Sequence, residues 1–388
     1  MTKGVVHWAY ALIALVDRLV PGSGGTTLVS FPDIDDTVAA LLKSPGRPAG
    51  RVHVLAESAS DALGRAKCLG LTVKIVPRKS LRGLWVYWRS TVCLSTHGIW
   101  GTIRRGRHKF HASTWHGELG KSGGIIYGEP AKNFDRIYVS NSVSRVSKVA
   151  EMGVPATDVI VTGQPRLTLL ASPARGSMPS ARHHIVWAPT YRSSQVGSRK
   201  KDGDLSGFNR FIDDFLEVSE PLLERHDALL WLRFHPFATP QELDRPRVRI
   251  ASNSALESFG ITFYDLMGHA DALVTDFSSL WLDYMILDRP MICAAPDWDE
   301  YLSGRPMILE PYKEWFPGSL VREPEELART LERVFEGRDA SVAKRSMLRA
   351  LLCPNVPPLD SAPDVAVWRD LTGLAGGRDG GRDGDRDG

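Results

Sequence analysis

Short apolar runs alternate with amphipathic stretches along most of the chain. TTLVSFPD (26–33) reads as a buried strand that ends in a polar turn. DIDDTVAALLKS, which follows, has helical character, with acidic residues in its first turn where the helix dipole favours them. RVHVLAES (51–58) and LTVKIVP (71–77) are two further strands. WVYWRSTVCLSTHG (85–98) holds a helix and then a strand that stops at His97-Gly98, and FHASTWHG (110–117) is another strand. FDRIYVSNSVSRVSKVAEMG reads as strand then helix, and DVIVTGQPR as strand then loop. Strands that alternate with helices predict a parallel α/β sheet.

The pattern breaks at ASPARGSMPSARH (171–183), which is rich in Ala, Ser and Pro and has no apolar period; it reads as an interdomain linker. The alternation then restarts. HHIVWAPTYR is a strand and loop, LSGFNRFIDDFLEVSEPLLERH a long helix, and ALLWLRFHP a strand. ALVTDFSS is a strand and turn, SLWLDYMILD a helix, PMICAAPD a strand, and EPEELARTLERVFEG a charged helix. The expected fold class is α/β, with two Rossmann-like domains whose strand ends face a shared cleft. The expected limits are residues 1–172 for an N-terminal domain and 173–372 for a C-terminal domain. Residues 373–388 form a tail whose GGRDGGRDGDRDG repeat has no apolar area to bury and predicts disorder.

The opening segment GVVHWAYALIALVDRLV (4–20) is the most apolar, but His7, Asp17 and Arg18 interrupt it or close it. No run reaches the roughly 18 apolar residues that span a bilayer, and no small-residue cleavage site follows that would mark a signal peptide. Two readings fit: an amphipathic helix on a membrane surface with Trp8 and Tyr10 at the interface, or a helix packed on its own domain.

Composition narrows the function classes. Of 388 residues, 43% are hydrophobic and 24% charged, as in an ordinary soluble domain protein, and the formal net charge is only +3. That balance argues against a nucleic-acid partner. Cys68, Cys93, Cys293 and Cys353 lie far apart and suggest neither a zinc site nor a disulfide framework.

Several stretches could carry chemistry. In ALVTDFSSLWLDYM (272–285) a strand ends at Thr275-Asp276, and Ser278 and Ser279 open a helix whose N-terminus suits an anion; simple capping by Asp276 or Ser278 is the plainer reading. In WLRFHPF (231–237), Arg233 and His235 stand where a strand leaves the sheet and together suit a phosphoanhydride, although an ordinary loop histidine fits as well. In WAPTYRS (187–193), Arg192 suits bidentate phosphate contact or is a surface arginine in a turn. RRGRHK (104–109) reads as a solvated basic loop or a contact with anionic lipid headgroups. STWHGELGKSGG (113–124) sets an imidazole on a glycine-framed loop. No Walker-type phosphate loop, HExxH or GxSxG is present, and no metal-ligand spacing stands out; no metal and no cofactor are expected.

The order of these motifs is more specific than any one of them. Trp115-His116-Gly117 with Lys121, Gly163-Gln164-Pro165-Arg166, Ala188 to Arg192, Leu232 to Pro236, Thr275 to Ser279, Asp297 with Tyr301, and Pro317-Gly318 follow one another. Over about residues 26–330 the chain resembles the CDP-glycerol glycerophosphotransferase family of teichoic acid synthesis. The resemblance implies a glycosyltransferase-B architecture and transfer of glycerol phosphate from CDP-glycerol, or ribitol phosphate from CDP-ribitol. The acceptor it implies is a hydroxyl of a polyprenyl-diphosphate-linked saccharide, with release of CMP. It also implies a peripheral enzyme on the cytoplasmic side of the cell membrane, in contact with the membrane surface. It implies that His116 is the general base, that His235 contacts donor phosphate, and that Ser278 and Ser279 hold the pyrophosphate. Thr190, Arg192, Arg233 and Asp276 are the other donor-side candidates, and Lys121 and Glu118 the acceptor-side ones. Glu118 stands where the family has Thr, and Thr168 where it often has Asp. The competing expectation is a nucleotide-sugar glycosyltransferase of the same fold acting on a cell-envelope glycan.

Overall fold

The computed structural model describes residues 3–97, 108–121, 123–127, 132–190, 192, 205–234, 245–353 and 362–377. The chain divides into two compact units: residues 1–116, 127–168 and 357–388 form one, and residues 117–126 and 169–356 the other.

The first unit is a seven-stranded sheet. Its strands are β1 (Thr26–Val29), β2 (Val52–Ala56), β3 (Lys74–Pro77), β4 (Val92–Ser95), β5 (Phe110–Ser113), β6 (Arg136–Val139) and β7 (Val159–Val161). They lie in the order β3-β2-β1-β4-β5-β6-β7, and every neighbouring pair is parallel. Strands β1, β4 and β5 are buried along their whole length. That is why they read as apolar runs without alternation: helices cover both faces of a parallel sheet. Four helices come first in the chain: α1 (Lys3–Leu19), α2 (Asp36–Lys43), α3 (Ala59–Cys68) and α4 (Leu81–Arg89). Side chains cap three of them, Asp35 accepting from Val38 N, Ser58 from Asp61 N and Ser80 from Gly83 N.

The second unit has six strands: β8 (His183–Trp187), β9 (Ala228–Leu232), β10 (Val248–Ile250), β11 (Ala272–Thr275), β12 (Met291–Ala294) and β13 (Ser319–Val321). Their order is β10-β9-β8-β11-β12-β13, again all parallel. This is the doubly wound order, and its direction reverses between β8 and β11; in the first unit it reverses between β1 and β4. Beneath β8, Trp187 meets Phe215 edge-on at 5.2 Å, inside a core shared by the helices Leu205–Arg225 and Pro324–Phe335. The two Rossmann-like α/β units are those the alternation predicts.

Two pieces of chain are exchanged relative to a single boundary near residue 172. The helix Pro363–Gly377 belongs with the first unit. There Val367, Trp368 and Leu371 are buried, and Trp368 Nε1 donates to the Leu41 carbonyl at 2.8 Å. Residues 117–126 belong with the second unit. Between the helix Leu167–Ala171 and β8 there is no regular element, as the linker composition predicts. Of the repetitive tail, residues 378–388 lie outside the described residues.

Helix α1 packs on its own unit, the second of its two readings. Ala14 and Asp17 are buried, and Trp88 Nε1 of α4 donates to the Ile13 carbonyl at 3.1 Å. On the opposite face Trp8, Leu12, Leu15 and Leu19 are exposed at the spacing of one helical stripe. Among the described residues no helix is long and apolar enough to cross a membrane.

The basic run at 104–109 needs a correction. Arg104, Arg105 and Arg107 lie outside the described residues, but Lys109 is neither solvated nor available to lipid. Its ammonium is fully buried, 3.2 Å from Asp17 Oδ1, and donates to the Ser90 carbonyl at 2.8 Å and to the Tyr87 carbonyl. Burial lowers its pKa, and Asp17 opposes that effect. A charge inside the α1 run and a charge at the end of the basic run neutralise each other.

Candidate active site

In the first unit the loops after β1, β4, β5 and β7 gather polar groups at the carboxyl ends of the strands, beside the reversal point. The loop after β5 turns sharply. Ser113 Oγ donates to the Ser95 carbonyl at 3.0 Å and accepts from Trp115 N at 3.1 Å. Trp115 sits at φ 51°, in the left-handed region that a bulky side chain rarely adopts. That turn delivers His116.

The His116 ring lies flat against His97, with centroids 4.4 Å apart and planes 2° from parallel. His97 Nδ1 is 2.9 Å from Thr96 Oγ1, which in turn donates to Asp35. His116 itself donates to the Thr96 backbone carbonyl. One ring nitrogen of His116 therefore carries its proton, and the other keeps a lone pair. Surrounding protein displaces water from His116 and pushes its pKa down to about 3, with His97, Lys148 and Arg166 adding to the effect. His97 is lowered to about 4, first by desolvation and then by Arg166 and Arg78. Both rings keep solvent-facing edges, so water screens part of these effects; the direction in each case is toward the neutral imidazole.

The GQPR motif supports this loop from below. Gln164, fully buried, donates to the carbonyls of Thr114 at 2.8 Å and Tyr138 at 3.2 Å. Arg166 Nη1 donates to Gln164 Oε1 at 3.2 Å and Thr37 Oγ1 at 3.4 Å. Thr168, which replaces the expected Asp, donates to the buried Asp364 at 2.6 Å, so a carboxylate from the C-terminal helix stands one hydroxyl away.

In the second unit the candidates cluster after β8 and β11, the strands that flank the other reversal point. Arg192 is 1% exposed, which removes the surface reading. Its guanidinium meets Asp297 twice at 2.8 Å, Asp276 at 2.6 Å and the Thr190 carbonyl at 2.8 Å. It also lies over Phe208 at 4.3 Å and Tyr301 at 4.9 Å. The two carboxylates hold its pKa above the ordinary arginine value despite burial. Arg192 is thus turned inward, and its donors are committed to protein. Asp276 is fully buried and accepts from Thr190 N at 2.9 Å; it does not cap the following helix. Thr190 Oγ1 is buried without a hydrogen-bond partner, a group that a ligand oxygen could satisfy.

The helix after Ser279 has only five residues, Leu280–Tyr284, before it tightens into a 3₁₀ turn. The expected helix-end contribution to anion binding is therefore small, and hydroxyls and loop amides are left to do it. Ser278 Oγ accepts from Leu280 N at 3.3 Å, and Ser279 has no capping bond.

Against Ser279, within the second unit, lie Gly117 and Gly120. A Cβ at Gly117 would come 2.9 Å from Ser279 Oγ, and one at Gly120 3.4 Å from Ser279 Cβ. Ile308 N donates to the Gly120 carbonyl at 2.9 Å, and Lys121 bridges to Met307 and lies 5.4 Å over the Tyr301 ring. The glycines are there for close approach. Glu118 is 2% exposed, so its side chain faces protein and not solvent. Arg233 donates to Asn253 Oδ1 at 2.7 Å and lies 4.9 Å over Phe263. His235 lies outside the described residues.

Residue-by-residue reading passed over His97, Thr96 and Asp35. The available signal was a second His-Gly pair at a strand end, His97-Gly98, matching His116-Gly117. Asp297 and Tyr301 were visible only as a motif; that they clamp Arg192 depends on tertiary packing.

Two doubly wound units with polar clusters at their strand-order reversals define an α/β architecture of the Rossmann type. More narrowly, the chain belongs to the CDP-glycerol:poly(glycerophosphate) glycerophosphotransferase family, whose model matches residues 27–355. It is 24% identical over 262 residues to the teichoic acid ribitol-phosphate polymerase TarL of Staphylococcus aureus, covering 61% of this chain and 44% of that one. It is also 24% identical over 331 residues to the teichoic acid glycerol-phosphate primase of Bacillus spizizenii, covering 76% and 80%. The chain spans under half the length of TarL and of the B. spizizenii ribitol-phosphate primase, of which it covers 44% each. A solved structure of a variant of the wall teichoic acid polymerase TagF soaked with CDPG superposes with a TM-score of 0.71 at 17% identity, covering 97% of this chain and 96% of that one. S. aureus MnaA in complex with UDP gives a TM-score of 0.55 at 10% identity.

Proposed function

We propose that the protein transfers a polyol phosphate, from CDP-glycerol or CDP-ribitol, to a hydroxyl of a lipid-linked saccharide and releases CMP. The observation that carries this reading is the placement of His116, stacked on His97 at the end of β5 with one ring nitrogen held by the Thr96 carbonyl. Such a ring takes a proton from an attacking hydroxyl at neutral pH. The acceptor oxygen forms a bond to the distal phosphorus of the donor, the bond from that phosphorus to the CMP oxygen breaks, and His116 takes the hydroxyl proton. Ser278, Ser279, Thr190 and, by resemblance, His235 bind the donor phosphates. Fixed donors of this kind stabilise charge that builds on the leaving CMP. Arg192 acts indirectly, holding Asp276 and through it the backbone of Thr190. Arg233 shapes the β9 exit, and Lys121 supplies a cation on the acceptor side. Buried Glu118 acts on the shape of the WHG loop in place of touching the acceptor.

The limits of action we propose are an acceptor-side domain and a donor-side domain, with α1 resting on the cytoplasmic face of the membrane where a polyprenyl-linked acceptor resides. The exposed stripe of Trp8, Leu12, Leu15 and Leu19 supports that placement.

The test is to incubate the purified protein with CDP-glycerol, CDP-ribitol or a UDP-sugar plus a lipid-linked disaccharide and to follow nucleotide release. CMP release dependent on acceptor is expected from one of the CDP-polyols. UDP release alone would establish the nucleotide-sugar glycosyltransferase instead.

A further inference from the structure

At the amino ends of the first unit's strands, opposite the candidate active site, there is a cavity of about 410 Å³. Ser23, Gly24 and Gly25 before β1, Arg51 and His53 at β2, and Trp85 with Arg89 on α4 line it. Its charged lining is cationic; no carboxylate contributes. Arg51 is exposed and has no side-chain partner among the described residues, and Lys74 and Arg82 add positive potential at His53. Burial, followed by those cations and Arg51, keeps the His53 ring toward its neutral form. Gly24 and Gly25 adopt φ 84° and 95°, and nothing lies within 4 Å of where a Gly24 Cβ would point. Gly24 is therefore required by its backbone conformation alone, which leaves open floor beside the arginines.

One of the residues that line this cavity, Trp85, is itself an exposed apolar side chain. Arg89 ties the cavity to the end of α1 by donating to the Pro21 carbonyl at 2.8 Å and lies 5.9 Å over the Trp85 ring. Trp85 is 56% exposed and Leu81, one turn earlier, 85% exposed. Trp8, Leu12, Leu15 and Leu19 are the exposed apolar side chains of α1, the helix against which α4 packs through Trp88. Aromatic and aliphatic side chains beside basic ones are the composition of a surface that enters a lipid interface.

We infer that the Arg51–His53–Arg89 cavity is a binding site for the phosphate of an anionic phospholipid headgroup, seated while the α1 and α4 side chains enter the acyl boundary. The inference rests on the membrane placement proposed above and adds a lipid preference to it. An exposed arginine near an anionic leaflet contributes about 1 kcal/mol, or roughly a fivefold change in partitioning.

The test is co-sedimentation of the full chain with phosphatidylcholine vesicles and with vesicles containing phosphatidylglycerol. Arg51→Gln should lose about fivefold in binding to the anionic vesicles and nothing on neutral ones. Lys67→Gln, which removes the same charge from exposed α3, should leave both unchanged. Equal losses in the two variants would show general electrostatics and overturn the cavity. Trp8→Ser with Leu12→Ser should weaken binding to both vesicle types; if it does not, the membrane placement itself fails, whatever Arg51 does. Inorganic phosphate provides the remaining arm: Arg51-dependent binding of free phosphate without any vesicle preference would reassign the cavity to a soluble phosphate compound.

Discussion

At the residue scale, the pair of stacked imidazoles makes the sharpest prediction. If neutral His116 is the base, the acid limb of kcat lies below the ordinary histidine pKa of about 6.5, because protonation is displaced downward. A pH–rate profile with its acid limb at or above 6.5 would remove that assignment. His116→Asn should lower kcat by roughly 10²- to 10⁴-fold while donor affinity is retained. His97→Phe keeps a flat partner but removes one of the groups that lower the His116 pKa, so the acid limb should move up. The same shifts bear on stability. Two histidines whose folded pKa lies below the unfolded value destabilise the fold as pH falls from about 6.5, where the unfolded chain begins to take up the protons. Urea midpoints should therefore decline between pH 6.5 and 4 more steeply in the natural chain than in His97→Phe. Arg192 belongs to a different kind of chemistry. Removing it leaves Asp276 and Asp297 as buried unpaired charges, so Arg192→Ala should cost about 3–5 kcal/mol by denaturant unfolding.

At the element scale, residues 117–120 and the Ser279 turn, both in the second unit, are fitted to one another. Gly117→Ala puts a methyl group where Ser279 Oγ now sits, at 2.9 Å. The serine can rotate, so the fold should survive and the donor KM should rise. Ser279→Ala should raise KM similarly, and the double variant should be no worse than either single one, since both act through one hydroxyl. Additive effects would show that the glycine matters for some other reason. The α1 connection offers a second measurement. Lys109→Met strands buried Asp17 and should cost about 3–5 kcal/mol, whereas Asp17→Leu with Lys109→Met should recover most of it.

At the scale of the whole molecule, the last described helix returns to the first unit. Trp368 is fully buried there, and Trp368→Ala should cost about 3–5 kcal/mol. Differential labelling should find the loss of protection in the first unit around α2, and loss confined to the second unit would contradict the assignment of that helix. Because Asp364 on the same helix holds Thr168, the first unit's candidate site depends on chain more than 190 residues further along.

The fold class was legible because a parallel sheet covered on both faces writes itself as apolar runs, and β1, β4, β8, β9 and β11 are buried along nearly their whole length. The edge strands β3 and β7 of the first unit were legible, but β10 and β13 at the edges of the second, three residues each with polar or half-buried positions, were not. His116 was visible because glycine on one side and a strand on the other mark a strand-end loop. His97 was visible only as a residue; its meaning is a ring-on-ring contact between two loops that follow neighbouring strands. The sequence by itself determined most of the central strands, how they alternate with helices, and which motif residues stand at strand ends, since these depend on local periodicity and turn chemistry. Only the tertiary structure decided that Arg192 and Lys109 face inward to carboxylates, that Glu118 is buried, and that the C-terminal helix joins the first unit. Each of those depends on which distant groups share a low-dielectric interior, and a charge in the sequence looks the same whether its partner is water or an aspartate.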